Sequence, residues 1–324
     1  MKHLSYFIIP VALAFLSSCY HEVDLDNYRD EESANLLTLN SIVNPDSTVS
    51  ASATRTYFFS DKHNSRQTVE GLDMELWLND EQKAEMRFNP ATSLYESSVR
   101  PKEGDKVEIR TAFKGKAVTS SGIVPRKVGI ESIDVERQGP MTIYYSNDYL
   151  FTYRIKFTDA PGEEKYYFLQ YDAADRRTDL TMGERDFTYE FVFRQLAKQV
   201  NANIPGWTPY SPNGLPFSDR GIDGTTHTLV VKEIVQDPAI SIQSKQMHRK
   251  FLLYSISKDY YDYLVSIICN DSGEGGIHSG MIDLGIADPI RIHSNIAGGT
   301  GILGCYSLDT KEVDIFATTG PFPQ

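Results

Sequence analysis

Apolar and polar positions alternate with a period of two over most of the chain. Leu37, Leu39, Ser41 and Val43 share one face of such a stretch, which stops at Asn44-Pro45-Asp46-Ser47. Val49, Ala51, Ala53, Arg55 and Tyr57 repeat the pattern. Met74, Leu76 and Leu78 repeat it again as far as Asn79-Asp80, a pair suited to a hairpin turn. Val107, Ile109, Thr111 and Phe113 follow Glu103-Gly104-Asp105, and Val118 to Val124 closes the run before Pro125. Short alternating stretches with turn residues between them predict a small antiparallel β-sandwich of immunoglobulin-like type over residues 35–125.

Pro125-Arg126-Lys127 marks a boundary, and residues 126–324 read as a second β-rich sandwich domain. Its strands are predicted at Ile130 to Val135, Thr142 to Tyr145, Tyr149 to Phe157 and Lys165 to Tyr171. Phe187, Tyr189, Phe191 and Phe193 alternate strictly and predict a strand with an aromatic core face. Residues 201–224 are rich in Asn, Pro, Gly and Ser and read as one long loop, a kind of segment that often carries function. His227 to Ile234, Ile290 to His293, Gly301 to Tyr306 and Val313 to Thr318 are the remaining strand candidates. A single helix is predicted near 257–269. Ser257 is its candidate cap and Asp259 lies in its first turn, with Tyr260, Tyr263, Leu264, Ile267 and Ile268 at helical spacing.

The first nineteen residues have a different texture. Lys2 gives a positive start, Leu4 to Leu16 is almost wholly apolar, and Ser17-Ser18-Cys19 ends the run. These are the parts of a secretory signal. The run is too short to cross ~30 Å of hydrocarbon comfortably as a helix. Leu16-Ser17-Ser18-Cys19 resembles a bacterial lipobox, which makes Cys19 the predicted lipidation site and residues 1–18 the signal peptide. Several acyl chains at about 0.8 kcal/mol per buried CH₂ make a stable anchor. Residues 19–34 carry Glu22, Asp24, Asp26, Asp30, Glu31 and Glu32 and read as an acidic tether.

Composition narrows the chemistry. The 324 residues include 32 Lys and Arg against 44 Asp and Glu, a net charge of −12, which excludes a phosphate-backbone ligand such as nucleic acid. Three cysteines do not make a disulfide scaffold. Once Cys19 is set aside, Cys269 and Cys305 sit in apolar runs and read as buried thiols, with a disulfide between them the alternative. His21, His63, His227, His248, His278 and His293 form no HExxH and no close pair, so no metal site is assigned. Asp271-Ser272-Gly273-Glu274 lacks the spacing of a calcium loop, and Asn295-Ile296-Ala297-Gly298-Gly299-Thr300-Gly301 lacks the Lys-Ser/Thr of a phosphate loop. No nucleophile elbow is present, and neither a catalytic residue nor a cofactor is assigned. Trp207 and Tyr210, in the Pro-stiffened segment Trp207-Thr208-Pro209-Tyr210-Ser211-Pro212, are the candidate ligand or partner contacts, with a structural role for Trp207 as the alternative.

Several segments together resemble a known family. They are Leu37 to Asp46, Phe157 to Glu163 with Lys165-Tyr166-Tyr167, Phe217-Ser218-Asp219 with Asp223-Gly224, Ser257 to Leu264, and Ser294-Asn295-Ile296-Ala297-Gly298-Gly299-Thr300-Gly301-Ile302-Leu303-Gly304. The pattern is similar to Bacteroidota lipoproteins built on domain of unknown function 4249. Thr300 departs from the usual Leu or Ile, and Cys305 from a small residue. The resemblance implies an outer-membrane, surface-exposed lipoprotein, often encoded beside a TonB-dependent, SusC-like barrel, and it brings no catalytic residues. The expected function is therefore a non-catalytic accessory of such a transporter in nutrient capture or uptake, held to the membrane lipid by its acyl anchor. A structural or adhesive surface protein and a hydrolase with an unrecognised site are the alternatives.

Overall fold

The computed structural model describes residues 35–57, 67–142, 148–173, 185–186, 190–193, 214–235, 248–270 and 291–320. The first half contributes β1 (Leu37–Val43), β2 (Ser50–Arg55), β3 (Gln67–Thr68), β4 (Met74–Leu78), β5 (Glu81–Asn89), β6 (Leu94–Glu96), β7 (Lys106–Phe113) and β8 (Lys116–Ile123). The second half contributes β9 (Ile130–Met141), β10 (Asp148–Thr158), β11 (Tyr166–Ala173), β12 (Arg185–Asp186), β13 (Gly214–Ser218), β14 (Thr226–Val235) and β15 (His248–Ile256). Helix α1 (Lys258–Asn270) follows, then the long β16 (Thr300–Asp314) and the short α2 (Ile315–Thr319). The chain is mainly β, and its described strands form two sheets. One runs β13-β11-β15-β16-β1-β2-β6-β5-β4-β7-β8 with β3 beside β2; the other runs β12-β14-β10-β9.

The alternation of the first half translates directly into burial. In β1 the even-spaced Leu37, Leu39, Ser41 and Val43 are buried, and Val107, Ile109 and Thr111 are buried in β7. Asn79 and Asp80 take the left-handed conformation between β4 and β5, the turn their side chains tolerate. Strands β5 and β6 were invisible to hydrophobic patterning because β5 buries only Met86.

Two cores organise the molecule. Residues from Leu37 to Val124, with three from in and just before β16, line the first; the second is lined by residues such as Ile130, Phe151, Tyr167, Leu229, Phe251 and Ile315. In the second core β10 and β14 of the small sheet face β11, β13 and β15 of the large one. Aromatic rings meet across the gap, Tyr153 against Phe251 at 5.1 Å and Phe157 against Tyr167 at 5.7 Å. Such pairs add about 0.5–1.5 kcal/mol each beyond the area they bury.

The expectation of two separate antiparallel sandwiches needs correction at one place. Ile296, Leu303 and Cys305, from the far end of the chain, belong to the first core. They arrive because β16 pairs with β1 in parallel, from Thr38 opposite Thr300 to Val43 opposite Cys305. One sheet therefore runs continuously from one core to the other. The linker is also docked: the Ser255 hydroxyl accepts the Val128 N–H, Asp309 accepts the Ile130 N–H at 2.8 Å, and the Ser307 hydroxyl donates to the Pro125 carbonyl.

Other local expectations change too. Residues 191–193 form a helical turn, because Val192 and Phe193 are both buried while Phe191 is exposed, which a strand facing one core cannot do. Phe187 and Tyr189 lie outside the described residues. Within the supposed loop 201–224, residues 214–218 form the fully buried β13, and 219–224 form a turn. Residues 291–293 are not a strand; the His293 N–H is taken by the Ser266 hydroxyl of α1 instead. Gly301 to Val313 is one strand rather than two. Residues 315–319 are helical, because the Asp314 carboxylate accepts the N–H groups of Phe316 and Ala317 and caps α2. Helix α1 stands where expected. The Ser257 hydroxyl, however, accepts the Cys305 N–H at 3.1 Å and so serves β16. Among the described residues no helix is long and apolar enough to cross a membrane.

Candidate functional site

The turns that follow β10 and β13 converge beside the start of β11. Asp159 accepts the Asp-turn N–H of Gly224 at 2.9 Å and, on its other oxygen, the Tyr167 hydroxyl in a short bond. Asp223 accepts the Gly162 N–H at 3.0 Å, and the Asp219 N–H donates to the Lys165 carbonyl. Gly224 adopts φ +66°, and a Cβ there would lie 2.9 Å from Pro161, so the two turns touch only because this residue is glycine. The Lys165 ammonium reaches into the cluster, 3.4 Å from Asp219, 3.5 Å from Asp223 and 3.6 Å from Asp159.

Burial and charge compete at this corner. Burial raises the Asp219 carboxyl above its usual range, reinforced by the Asp159 charge and opposed by Lys165. Burial alone would lower the Lys165 amine, but the three carboxylates outweigh it and hold the amine protonated. Burial and the bond to Asp159 raise the Tyr167 phenol. The three aspartates place carboxylate oxygens within 4.8 Å of one another, a donor set suited to a hard cation. The cation that fits them is the lysine ammonium of the same chain, and the cluster acts as a three-turn clasp. Lys165→Met is expected to lower stability by about 2–4 kcal/mol, read as a denaturation midpoint, because it strands two buried carboxylates.

A second polar group is wholly internal. Arg249 of β15 donates to both oxygens of Glu233 on β14, at 3.1 and 3.2 Å, and the Tyr153 hydroxyl donates to Glu233 at 2.6 Å. This pair bridges the two sheets across the second core. Glu190 is also buried. It accepts the Val230 N–H at 2.6 Å and lies 3.2 Å from His227 Nε2, which fixes the helical turn at 191–193 over β14. On the surface of α1, His293 meets Asp259 at 3.0 Å; Glu164, just before β11, pairs with Arg220 in the turn after β13 at 2.6 Å.

The glycine-rich run 297–301 holds backbone against backbone. Ala297 exchanges two hydrogen bonds with Thr119 along the outer edge of β8. A Cβ on Gly298 (φ +75°) would lie 2.0 Å from the Ala117 carbonyl oxygen, and one on Gly301 (φ +111°) 2.1 Å from that of Leu39. The Asn295 side-chain amide binds Leu303 on both its N–H and its carbonyl at 2.9 Å, and the Asn40 side-chain Oδ1 accepts the Ile302 N–H. The run thus joins the two ends of the chain. Gly298→Ala is expected to cost at least about 1–3 kcal/mol from its backbone conformation alone, visible as a lowered melting temperature.

Cys305 is a free thiol in the first core, where burial, helped by the Asp259 charge, pushes it up to about 12. The nucleophilic form is the thiolate. Cys305 is therefore expected to resist maleimide in the native protein and to react on denaturation, read by intact mass. The side chain of Cys269 lies outside the described residues, as do Cys19, Trp207, Tyr210, Asp271, Glu274, His21, His63 and His278.

The segments that carried the family resemblance are thus the ones the fold draws together, some in the aspartate clasp and some in the closing strand. The profile described as Domain of unknown function (DUF4249) matches residues 22–312. The chain belongs to the DUF4249 family. No curated protein matches it significantly. Among solved structures, a Corynebacterium diphtheriae chain described as a "Putative membrane anchored protein" aligns at 10% identity with a TM-score of 0.20. That alignment covers 69% of this chain and 55% of the other, so this DUF4249 chain spans little more than half of that protein. In the sequence, Asp159, Lys165, Asp219 and Asp223 stand out only as parts of the family pattern. Their neighbourhood was hidden because 60 or so residues separate the two turns, as the 61-residue spacing of the Gly162–Asp223 bond records.

Proposed function

We propose that this DUF4249 protein is a non-catalytic lipoprotein, anchored through Cys19 and exposed at the outer-membrane surface, that assists a TonB-dependent, SusC-like barrel in nutrient capture or uptake. The observation that carries the reading is the Leu16-Ser17-Ser18-Cys19 motif followed by an acidic stretch that leads directly into β1 at Leu37. Residues 20–35 reach at most about 50–58 Å when extended, enough to keep the folded body beside a barrel mouth. Confinement by lipid raises the effective concentration of the body near its partner without any new contact. As part of the same reading, each core belongs to an immunoglobulin-like sandwich, and loops of the second carry the partner or ligand contact, Trp207 and Tyr210 among them.

The test is gentle extraction of the lipidated protein from its native membrane and identification of what co-purifies. A stoichiometric TonB-dependent barrel supports the reading; recovery alone, with uptake unchanged on deletion of the protein, overturns it in favour of an adhesive role. Cys19→Ala is expected to abolish incorporation of labelled fatty acid and release the protein from the membrane fraction.

A further inference from the structure

The direction of the pairing between the two ends of the chain has a mechanical consequence. β1 begins at Leu37, where the N-terminal segment enters the sheet, and it runs parallel to β16 from Thr38/Thr300 to Val43/Cys305. Beyond Cys305, β16 continues from Tyr306 to Asp314 alongside β15, deep in the part of the sheet that lines the second core. At ~3.3 Å per residue this carries the strand roughly 30 Å past the end of β1. A pull on the N-terminal segment draws β1 back towards Leu37. Resistance from the second core draws β16 the opposite way, towards Asp314.

These opposed forces act along the strand axis. The hydrogen bonds between β1 and β16 lie across it, so they share the force and must fail together. The Asn40 side chain, which accepts the Ile302 N–H at 3.1 Å, adds a bond across the same junction. Pairing of β1 with β2 is the opposite case. Leu37 stands opposite Arg55, so the free ends of that hairpin lie together and a pull between them opens its bonds one at a time.

We propose that the β1–β16 pair is a shear clamp that carries force between the N-terminal tether and the body formed by the second core. Its use in the cell rests on the anchor reading given above: a protein fixed by lipid at one end and gripping a partner with the other is loaded along this line. The mechanical property is independent of lipidation.

The experiment is single-molecule force spectroscopy on the full mature chain, with handles in two geometries at one loading rate. In one, handles sit at the N-terminal tether and the C-terminus. In the other, they sit at the tether and at Tyr57, just after β2. The first geometry is expected to unfold at about twofold higher force or more, because its bonds break in concert. Asn40→Ala is expected to lower the force in the first geometry and leave the second unchanged. Equal forces in the two unmodified geometries, or a lower force in the first, would overturn the clamp. Loss of the anchor reading would appear separately, as absent lipid labelling at Cys19 with the force difference intact.

Discussion

Arg249→Met is expected to cost about 3–5 kcal/mol, a large share of the roughly 5–15 kcal/mol that holds a domain folded. Arg249 and Glu233 are 5% and 3% exposed, and the guanidinium donates to both carboxylate oxygens. Without the arginine, Glu233 keeps only the Tyr153 hydroxyl among these donors and remains a charge inside an aromatic core. A companion change of Glu233→Leu in the same chain removes the stranded charge and is expected to recover much of the loss, since apolar replacements of buried pairs are often near neutral. The pH dependence provides an independent reading. Burial works to raise the Glu233 carboxyl, but Arg249 outweighs it and holds the group below its ordinary value. In the unmodified protein this contribution is complete above the unfolded-state pKa and is lost as pH falls through the lower folded one. In Arg249→Met burial is opposed only by tyrosine hydroxyl bonding, so the folded value is expected to lie above the unfolded one and the sign to invert: stability from this group is then present at low pH and lost as pH rises through the folded value. Urea midpoints between pH 4 and pH 8 measure both effects. A loss below about 1 kcal/mol with an unchanged pH slope would mean that the pair does not hold the sheets together.

The sequence disclosed the β-rich class because one-sided strands write their burial into alternate residues, as β1, β4 and β7 do. It pointed to α1 through Tyr260, Tyr263, Leu264, Ile267 and Ile268 at helical spacing; of these Ile268, together with Val265, packs against the second core. It missed β5, whose residues are mostly exposed, and it misread 191–193, because short apolar runs do not distinguish a strand from a helical turn. The aspartate clasp and the Arg249–Glu233 pair were illegible for another reason. Each depends on which turn or strand lies beside which, and no local pattern encodes that. The glycine run was visible as a motif. Its purpose became clear only when Gly298 and Gly301 were found against the Ala117 and Leu39 carbonyls.

The same closure gives the second large effect. Leu303 is fully buried, and it packs in the first core although it belongs to β16. Leu303→Ala is expected to cost about 2–5 kcal/mol, the transfer term plus the cavity it leaves. The location of the loss matters more than its size. If residues 35–125 formed a self-sufficient unit, a change in β16 would loosen the second core and leave the first alone. The parallel pairing of β1 with β16, the Ala297 cover on the edge of β8, and the placement of Ile296, Leu303 and Cys305 predict the reverse. Hydrogen exchange is expected to speed up in β1, β2 and β8, and the environment of Trp77, which stacks under Arg110 on the outer face of β4, is expected to change in the same unfolding transition. Retained protection in those strands, with exchange gained only in β10, β11 and β14, would show that the first core stands without its borrowed strand. Loss of protection on both sides would make the two cores one cooperative unit, closed by residues from opposite ends of the chain.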